Sequence, residues 1–453
     1  MFSKILIANR GEIALRIIRS AKELGIKTVA VYSEPDKVSL HAIMADEKIC
    51  IGPGRPMESY LNIPNLVSAA KITKADAIHP GYGFLAENPR LPEICEAEGF
   101  TFIGPSAAIM RMMGDKNRAR NEMNKAKLPI IPGSDNVVED IDQAKAAARK
   151  IGYPVILKAS AGGGGKGMRI VRNPAQMEDQ FSIAQGEAKA AFGIPALYME
   201  KFIEIARHIE VQIAADNHGN VTAFGERECS VQRKHQKLIE ETPSPFVDER
   251  LRKRIIKAAE DAARFIGYRS LGTIEFLVDE SKHFYFMEAN TRVQVEHPIT
   301  EMVYNIDLIK EQIRTAAGEK LSLGRDLAIH GHSIECRINA EDAVTFIPSP
   351  GKIDFLVFPG GPGIRVDSAA YSGWQIPSEY DSMVAKIIAL APTREEALKK
   401  MIIALEMTTI VGIKTNIPLQ LSILANSDFA KGNYNIQFLD KFLSKKLDVR
   451  MKP

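Results

Sequence analysis

Residues 286–301 hold the densest set of side chains able to do chemistry. Read as an extended strand, the segment puts Glu288, Asn290, Arg292, Gln294 and Glu296 on one face, because side chains alternate along a strand. Met287, Ala289, Thr291, Val293 and Val295 fall on the other face, which is mostly apolar and suits a core. Just upstream, residues 272–279 and 284–288 have strand composition and are joined by the polar connection 280–283. A hairpin with that loop sets Glu275 opposite Glu288. Like charges across a strand pair destabilise it unless a cation lies between them, and hard divalent cations prefer carboxylate and amide oxygens. Glu275, Glu288 and Asn290 are therefore expected to hold Mg²⁺; an amphipathic strand with a solvated charged face accounts for the same pattern.

Two further stretches offer groups for anions. Residues 160–168 contain four consecutive glycines followed by Lys166, between the apolar strands 154–159 and 169–171. Such a loop can present backbone N–H groups to phosphate oxygens, with Lys158 and Lys166 adding charge. It is not a Walker loop, which needs Gly-Lys-Ser/Thr opening a helix; a flexible linker is the alternative. Residues 226–237 form a polar run in which strand alternation groups Arg233, His235 and Lys237 on one face, a cationic lining or simply a solvated strand.

The elements that position these groups follow from periodicity. Residues 4–8, 12–24 and 27–32 read as strand, helix and strand, the start of an α/β sheet, and the turn Asn9-Arg10-Gly11 lacks the dinucleotide fingerprint. A strand at 75–79 runs into the glycine-rich loop 79–88, where the carboxyl end of a strand can form a ligand crevice or a plain turn. Helical patterns cover 110–126, 141–151, 249–266, 306–317 and 394–405, and a proline-bounded hinge falls at 128–133. After Gly331 short strands predominate, which predicts a closing β-rich unit. The 453 residues carry a net charge of +3 with 45% hydrophobic and 25% charged side chains, a composition without a nucleic-acid or membrane signature. No apolar run reaches a membrane span and no signal peptide opens the chain, so a cytoplasmic location is expected. The four cysteines lack paired spacing; Cys229 reads as a buried thiol or a reactive one.

Taken in order, the runs 7–14, 79–88, 158–167, 227–237, 288–301 and 333–340 resemble the biotin carboxylase family, and the resemblance covers nearly the whole chain. It implies an ATP-grasp fold: α/β (α+β overall), with an N-terminal α/β domain (1–114), an ATP-grasp domain (115–330) with a mobile lid at about 132–203, and a C-terminal β-rich domain (331–446). The implied reaction converts ATP, bicarbonate and biotin on a carrier protein to ADP, phosphate and carboxybiotin by way of carboxyphosphate.

By the same resemblance Glu296 is the general base toward bicarbonate. Lys237, Arg292, Gln294 and the Val295 backbone clamp that anion, and Arg337 stabilises the biotin ureido oxygen. Tyr82 and Gly83 line the biotin pocket. ATP is implied to meet Lys116, Lys158, Gly163, Gly164, Gly165, Glu200, Lys201, Ile203, His208, Gln232, His235, Glu275 and Glu288, with two Mg²⁺ (or Mn²⁺) ions. Ala289 and Val293 depart from the usual methionine and isoleucine or leucine, on the apolar face. No Ala-Met-Lys-Met attachment site occurs, so biotin is expected on a separate biotin carboxyl carrier protein working with carboxyltransferase subunits. A homodimer is implied, with Arg19 and Glu23 on the N-terminal helix; an intrahelical ion pair explains those two as well. The implied role is the first half-reaction of acetyl-CoA carboxylase, or the same component of a pyruvate or propionyl-CoA carboxylase.

Overall fold

The computed structural model describes residues 1–134, 136–159, 168–234, 236–323 and 328–450. Strands β1 (Lys4–Ile7), β2 (Lys27–Tyr32), β3 (Glu47–Cys50), β4 (Ala77–His79) and β5 (Thr101–Phe102) form a parallel sheet in the order β3-β2-β1-β4-β5. Ile5, Leu6 and Ile7 are fully buried, as a parallel sheet covered on both faces requires. The strand order reverses beside β1, so the loops leaving β1 and β4 meet at a topological switch point. Asn9 Nδ2 ties them together, donating to the carbonyl oxygens of Pro80 and Tyr82 at 2.7 Å each.

The smaller of two compact units comprises Pro129–Ala206 and Val278–Met287. Its three-stranded sheet, order β7-β6-β8, is built from β6 (Val155–Ala159), β7 (Arg169–Val171) and β8 (Leu197–Lys201). The helix Met177–Phe192, unforeseen from periodicity, contributes Phe181, Ala184 and Ala188 to a core with Val155 and Leu157.

The larger unit contains most of an eight-stranded sheet. Its strands are β9 (Ala206–Ala215), β10 (Val221–Arg233), β11 (Gln236–Thr242), β12 (Ser270–Asp279), β13 (Phe284–Asn290), β14 (His332–Asn339), β16 (Ile364–Ser368) and β17 (Met383–Ala391), in the order β13-β12-β9-β10-β11-β14-β17-β16. The strands after Gly331 therefore do not close a separate sheet: β14 pairs antiparallel with β11 and extends the existing one. β15 (Phe355–Val357) and β18 (Thr409–Val411) stand apart, as a two-stranded pair. Sequence pattern marks a strand but not its neighbour, and here the neighbour lies about ninety positions earlier, with Glu335 opposite Glu240.

Three local expectations are corrected. The helical pattern at 110–126 is two helices, Ala107–Gly114 and Lys116–Lys125, because Asp115 leaves helical geometry and its carboxylate caps the second at Arg118 N (2.9 Å). The run 226–237 is two strands, not one: Lys234 adopts φ 47° and Arg233 pairs with Gln236 across the turn. Arg233 and Lys237 consequently do not share one strand face, and Arg233 lies over the Phe346 ring at 3.6 Å. The strand through Glu288 ends at Asn290, and a helix, His297–Tyr304, starts with proline in its first turn. Val293 is fully buried in the core cluster around Ile13 and Ile17, which pulls the intervening loop off the strand direction.

Candidate active site

The alternation that grouped Glu288 through Glu296 fails beyond Asn290, yet the side chains still converge. Lys237, the second residue of β11, is the hub. Its Nζ donates to Glu296 Oε1 at 2.5 Å, Glu210 Oε2 at 2.5 Å and Glu275 Oε1 at 3.1 Å. Glu296, at the N-terminus of the helix His297–Tyr304, also accepts from Arg337 Nη2 at 2.9 Å, and Arg337 Nε donates to Glu240 Oε1 at 2.6 Å. Burial alone would raise the Glu296 pKa, but the charges of Lys237, Arg337 and Arg227 outweigh it and hold the carboxyl well below the usual range. Glu296 is thus an ionised, fully buried carboxylate between two cations.

Beside it, Glu275 Oε1 accepts from Asn290 Nδ2 at 2.8 Å and Gln294 Nε2 at 2.9 Å, and His208 Nε2 lies 2.8 Å from Glu275 Oε2. Arg292 extends the network: it donates to Glu87 Oε2 (2.9 Å), Gln294 Oε1 (2.8 Å) and Asn290 Oδ1 (3.1 Å). Burial opposes ionisation of Glu275, and Lys237 and His208 overcome it. For Glu288 the balance tips the other way: burial and then the charge of Glu275 push its carboxyl up, outweighing the pull of Lys116, His208 and Lys237.

The cluster is over-supplied with acid. Among the described residues Glu210, Glu240, Glu275, Glu288 and Glu296 bring five carboxyl groups together, with Lys237, Arg227 and Arg337 paired directly to them and Arg292 and Lys116 at the margin. Burial, with Glu296 adding to it, raises Glu240 to about 7. The ligand atoms of His208, Glu210 and Glu275 lie within 4.8 Å of one another, a buried oxygen-rich set of the kind a hard divalent cation satisfies, and Glu288 and Asn290 flank Glu275 there. Cys229 lies fully buried against this cluster, where burial first and Glu210 next push its thiol far up; it is a thiol, not a thiolate nucleophile.

The biotin-pocket candidates sit in the loop after β4. Tyr82 donates its hydroxyl to Glu12, and Gly81 and Gly83 hold φ of 63° and 68°. Gln232 pairs in register with Lys237, and Lys116 is the exposed first residue of its helix. In the smaller unit Lys158 pairs with Glu200, Lys201 Nζ donates to the carbonyl oxygens of Gly152 (3.0 Å) and Tyr153 (2.7 Å), and Ile203 is half-buried after β8. Gly163, Gly164, Gly165 and His235 lie outside the described residues. On the N-terminal helix Glu23 pairs with Lys310 rather than with Arg19, which is exposed.

Sequence reasoning missed Glu210, Arg227, Glu240 and Lys386, all fully buried. Charged residues inside otherwise apolar strands, such as Lys386 in Met383–Ala391, were the available signal.

Family models match in succession along the chain: biotin carboxylase N-terminal domain at 1–110, carbamoyl-phosphate synthase L chain ATP-binding domain at 115–323, and biotin carboxylase C-terminal domain at 335–441. A biotin carboxylase from Haemophilus influenzae is 54% identical over 445 residues, covering 98% of this chain and 99% of that protein. The chain belongs to the biotin carboxylase family. Its fold is ATP-grasp, and it is an ATP-dependent ligase. A pyruvate carboxylase component from Methanothermobacter thermautotrophicus is also similar, at 51% identity over 100% of this chain and 92% of that one. The biotin carboxylase domain dimer of Hydrogenobacter thermophilus 2-oxoglutarate carboxylase, solved with MgADP, ADP and bicarbonate, superposes with a TM-score of 0.91 at 48% identity, covering 97% of this chain and 98% of that one. Among the described residues no helix is long and apolar enough to cross a membrane.

Proposed function

We propose that the enzyme carboxylates biotin held on a separate carrier protein, using ATP and bicarbonate, as the first half-reaction of acetyl-CoA carboxylase in the cytoplasm. The observation that carries this is the position of Glu296, an ionised carboxylate gripped by Lys237 and Arg337 beside the Arg292–Gln294 pair. Bicarbonate is a poor nucleophile, and a carboxylate within hydrogen-bond reach can take its proton as its oxygen attacks the γ-phosphate. The bond from that phosphorus to the β,γ-bridging oxygen breaks, ADP leaves, and carboxyphosphate carries the carboxyl group on.

Lys237, Arg292, Gln294 and the Val295 backbone hold the bicarbonate, offsetting repulsion between two anions. An anion that draws Lys237 and Arg337 to itself also loosens their hold on Glu296 and raises its basicity. Carboxyphosphate then breaks its carbon–oxygen bond to phosphate, and the departing phosphate takes the ureido N–H proton. The ring nitrogen forms the new C–N bond to the carboxyl carbon, while Arg337, with Tyr82 and Gly83 at the biotin ring, stabilises the ureido oxygen. ATP contacts come from Lys116, Lys158, Gly163, Gly164, Gly165, Glu200, Lys201, Ile203, His208, Gln232 and His235, within a division at 1–114, 115–330 (lid about 132–203) and 331–446. Glu275, Glu288 and Asn290 would hold Mg²⁺, which when bound would supply charge neutralisation for phosphoryl transfer.

The partners are a biotin carboxyl carrier protein, carboxyltransferase subunits and a second copy of this chain. The Haemophilus relative, named as a biotin carboxylase and matched over 99% of its length, supports the biotin half-reaction. The Methanothermobacter relative, named as part of a pyruvate carboxylase, favours a second reading, the same half-reaction serving pyruvate. Two measurements decide. ATP turnover by purified protein must depend on both bicarbonate and free biotin, and indifference to both refutes the activity. Capture of the biotinylated carrier from native extract, with identification of its transferase, separates acetyl-CoA from pyruvate.

A further inference from the structure

The register of β14 and β17 sets Lys386 directly across from Arg337, so the two cations share one face of the sheet. They grip consecutive residues of one turn. Arg337 Nη2 donates to Glu296 Oε2 at 2.9 Å, and Lys386 Nζ donates to the Val295 carbonyl oxygen at 2.8 Å. Lys386 is wholly buried, a position lysine almost never takes unless paired. Its counter-charges are Glu12 Oε1 at 3.0 Å and Asp367 Oδ2 at 3.9 Å. Glu12, in the first turn of the helix Gly11–Glu23, accepts the Tyr82 hydroxyl, and the Tyr82 ring centroid lies 6.0 Å from Lys386 Nζ.

One ammonium therefore joins two pieces that the proposed function assigns to different substrates. On one side is the peptide between Val295 and Glu296, whose plane fixes where the base begins. On the other is Glu12, which orients Tyr82 in the biotin loop. Resting on that function, we propose that Lys386 is a positioning residue that couples the bicarbonate clamp to the biotin loop, so that disturbing Tyr82 is felt at bicarbonate and disturbing the Val295 turn is felt at biotin. Lys386 touches neither substrate. The link is carried by a contiguous set of polar groups, Tyr82–Glu12–Lys386–Val295, each joined to the next by a direct contact rather than by proximity in sequence.

The test is steady-state kinetics of ATP turnover with free biotin, on the full chain, for wild type, Lys386→Met, Tyr82→Phe and the double variant. Lys386→Met is expected to raise the KM for bicarbonate and for biotin by tenfold or more while the KM for ATP stays within twofold. Tyr82→Phe is expected to raise the bicarbonate KM in the wild-type background and to add nothing to it in the Lys386→Met background. Lys386→Arg, which keeps the charge, should recover part of both constants. Effects on bicarbonate that simply multiply in the double variant, or a bicarbonate KM that Tyr82→Phe leaves unchanged, would overturn the coupling. If Lys386→Met does not fold, Tyr82→Phe and Glu12→Gln decide alone, since both must move the bicarbonate KM. A wild-type enzyme whose turnover ignores bicarbonate and biotin overturns the proposed function and the coupling together; a wild-type enzyme that needs both, with unlinked constants, overturns only the coupling.

Discussion

Glu296 and Arg337 form an ion pair, Oε2 to Nη2 at 2.9 Å, although the proposed mechanism gives them separate tasks. The base and the group that stabilises the biotin oxyanion are each other's partner in the structure. Each keeps the other charged while buried, and both remain poised for substrates that compete for the same contact.

Glu296→Gln keeps the shape and removes the proton acceptor. Bicarbonate-dependent ATP turnover should fall by about 10²–10⁴-fold, the usual worth of a positioned general base. ATP binding, read by calorimetry, should persist; turnover close to that of wild type removes Glu296 from the base role.

Arg337→Gln leaves Glu296 with Lys237 as its principal cation and withdraws the donor to the ureido oxygen. Biotin carboxylation should drop by about 10²–10³-fold, comparable to loss of one oxyanion donor. A variant whose only change is a higher biotin KM would show that Arg337 binds the ring without stabilising its anion.

Glu288 is a half-buried carboxyl raised first by desolvation and then by Glu275. Glu288→Gln should increase the Mg²⁺ concentration for half-maximal turnover by roughly tenfold or more, and chelation should abolish turnover of the wild type. An unchanged Mg²⁺ requirement in the variant excludes Glu288 as a ligand.

Gly81 holds φ 63°, and a Cβ there would sit 2.9 Å from Asn9 Nδ2, the atom that fixes the Tyr82 carbonyl. Gly81→Ala should cost about 1–2 kcal/mol from the left-handed backbone alone and weaken biotin more than ATP, by calorimetric melting and the two KM values.

Away from the site, Glu241 binds His332 Nε2 (2.6 Å) and the Arg394 guanidinium (2.7 and 2.9 Å). Burial alone would raise its pKa, but those hydrogen bonds bring it from 4.5 to about 2. A depressed carboxyl means that the folded state binds fewer protons than the unfolded one in this range. Its stabilisation is complete above about pH 4.5 and is lost as pH falls toward 2. Tm should decline over that window in the wild type and decline less in Glu241→Gln, which should also be less stable at neutral pH by about 3 kcal/mol. Parallel Tm profiles would show that Glu241 does not drive the acid limb.

The sequence by itself determined which residue types are available and much of the local structure. The βαβ opening, the 280–283 connection and the helix ending at Phe265 all follow from hydrophobic period and turn chemistry, which act over a few residues. The motifs carrying the family resemblance lie in that local layer, so the fold was legible through them. Tertiary structure decided how the polar groups meet. Glu288 and Glu296 do not share a strand face, because a buried Val293 and a proline-started helix turn the chain after Asn290. Lys237 on β11 gathers Glu210 of β9 and Glu275 of β12 because those strands lie in one sheet, and Lys386 comes to lie opposite Arg337 because β17 pairs with β14. Strand pairing between distant segments is fixed by shared burial across the sheet, a collective property that no single segment encodes.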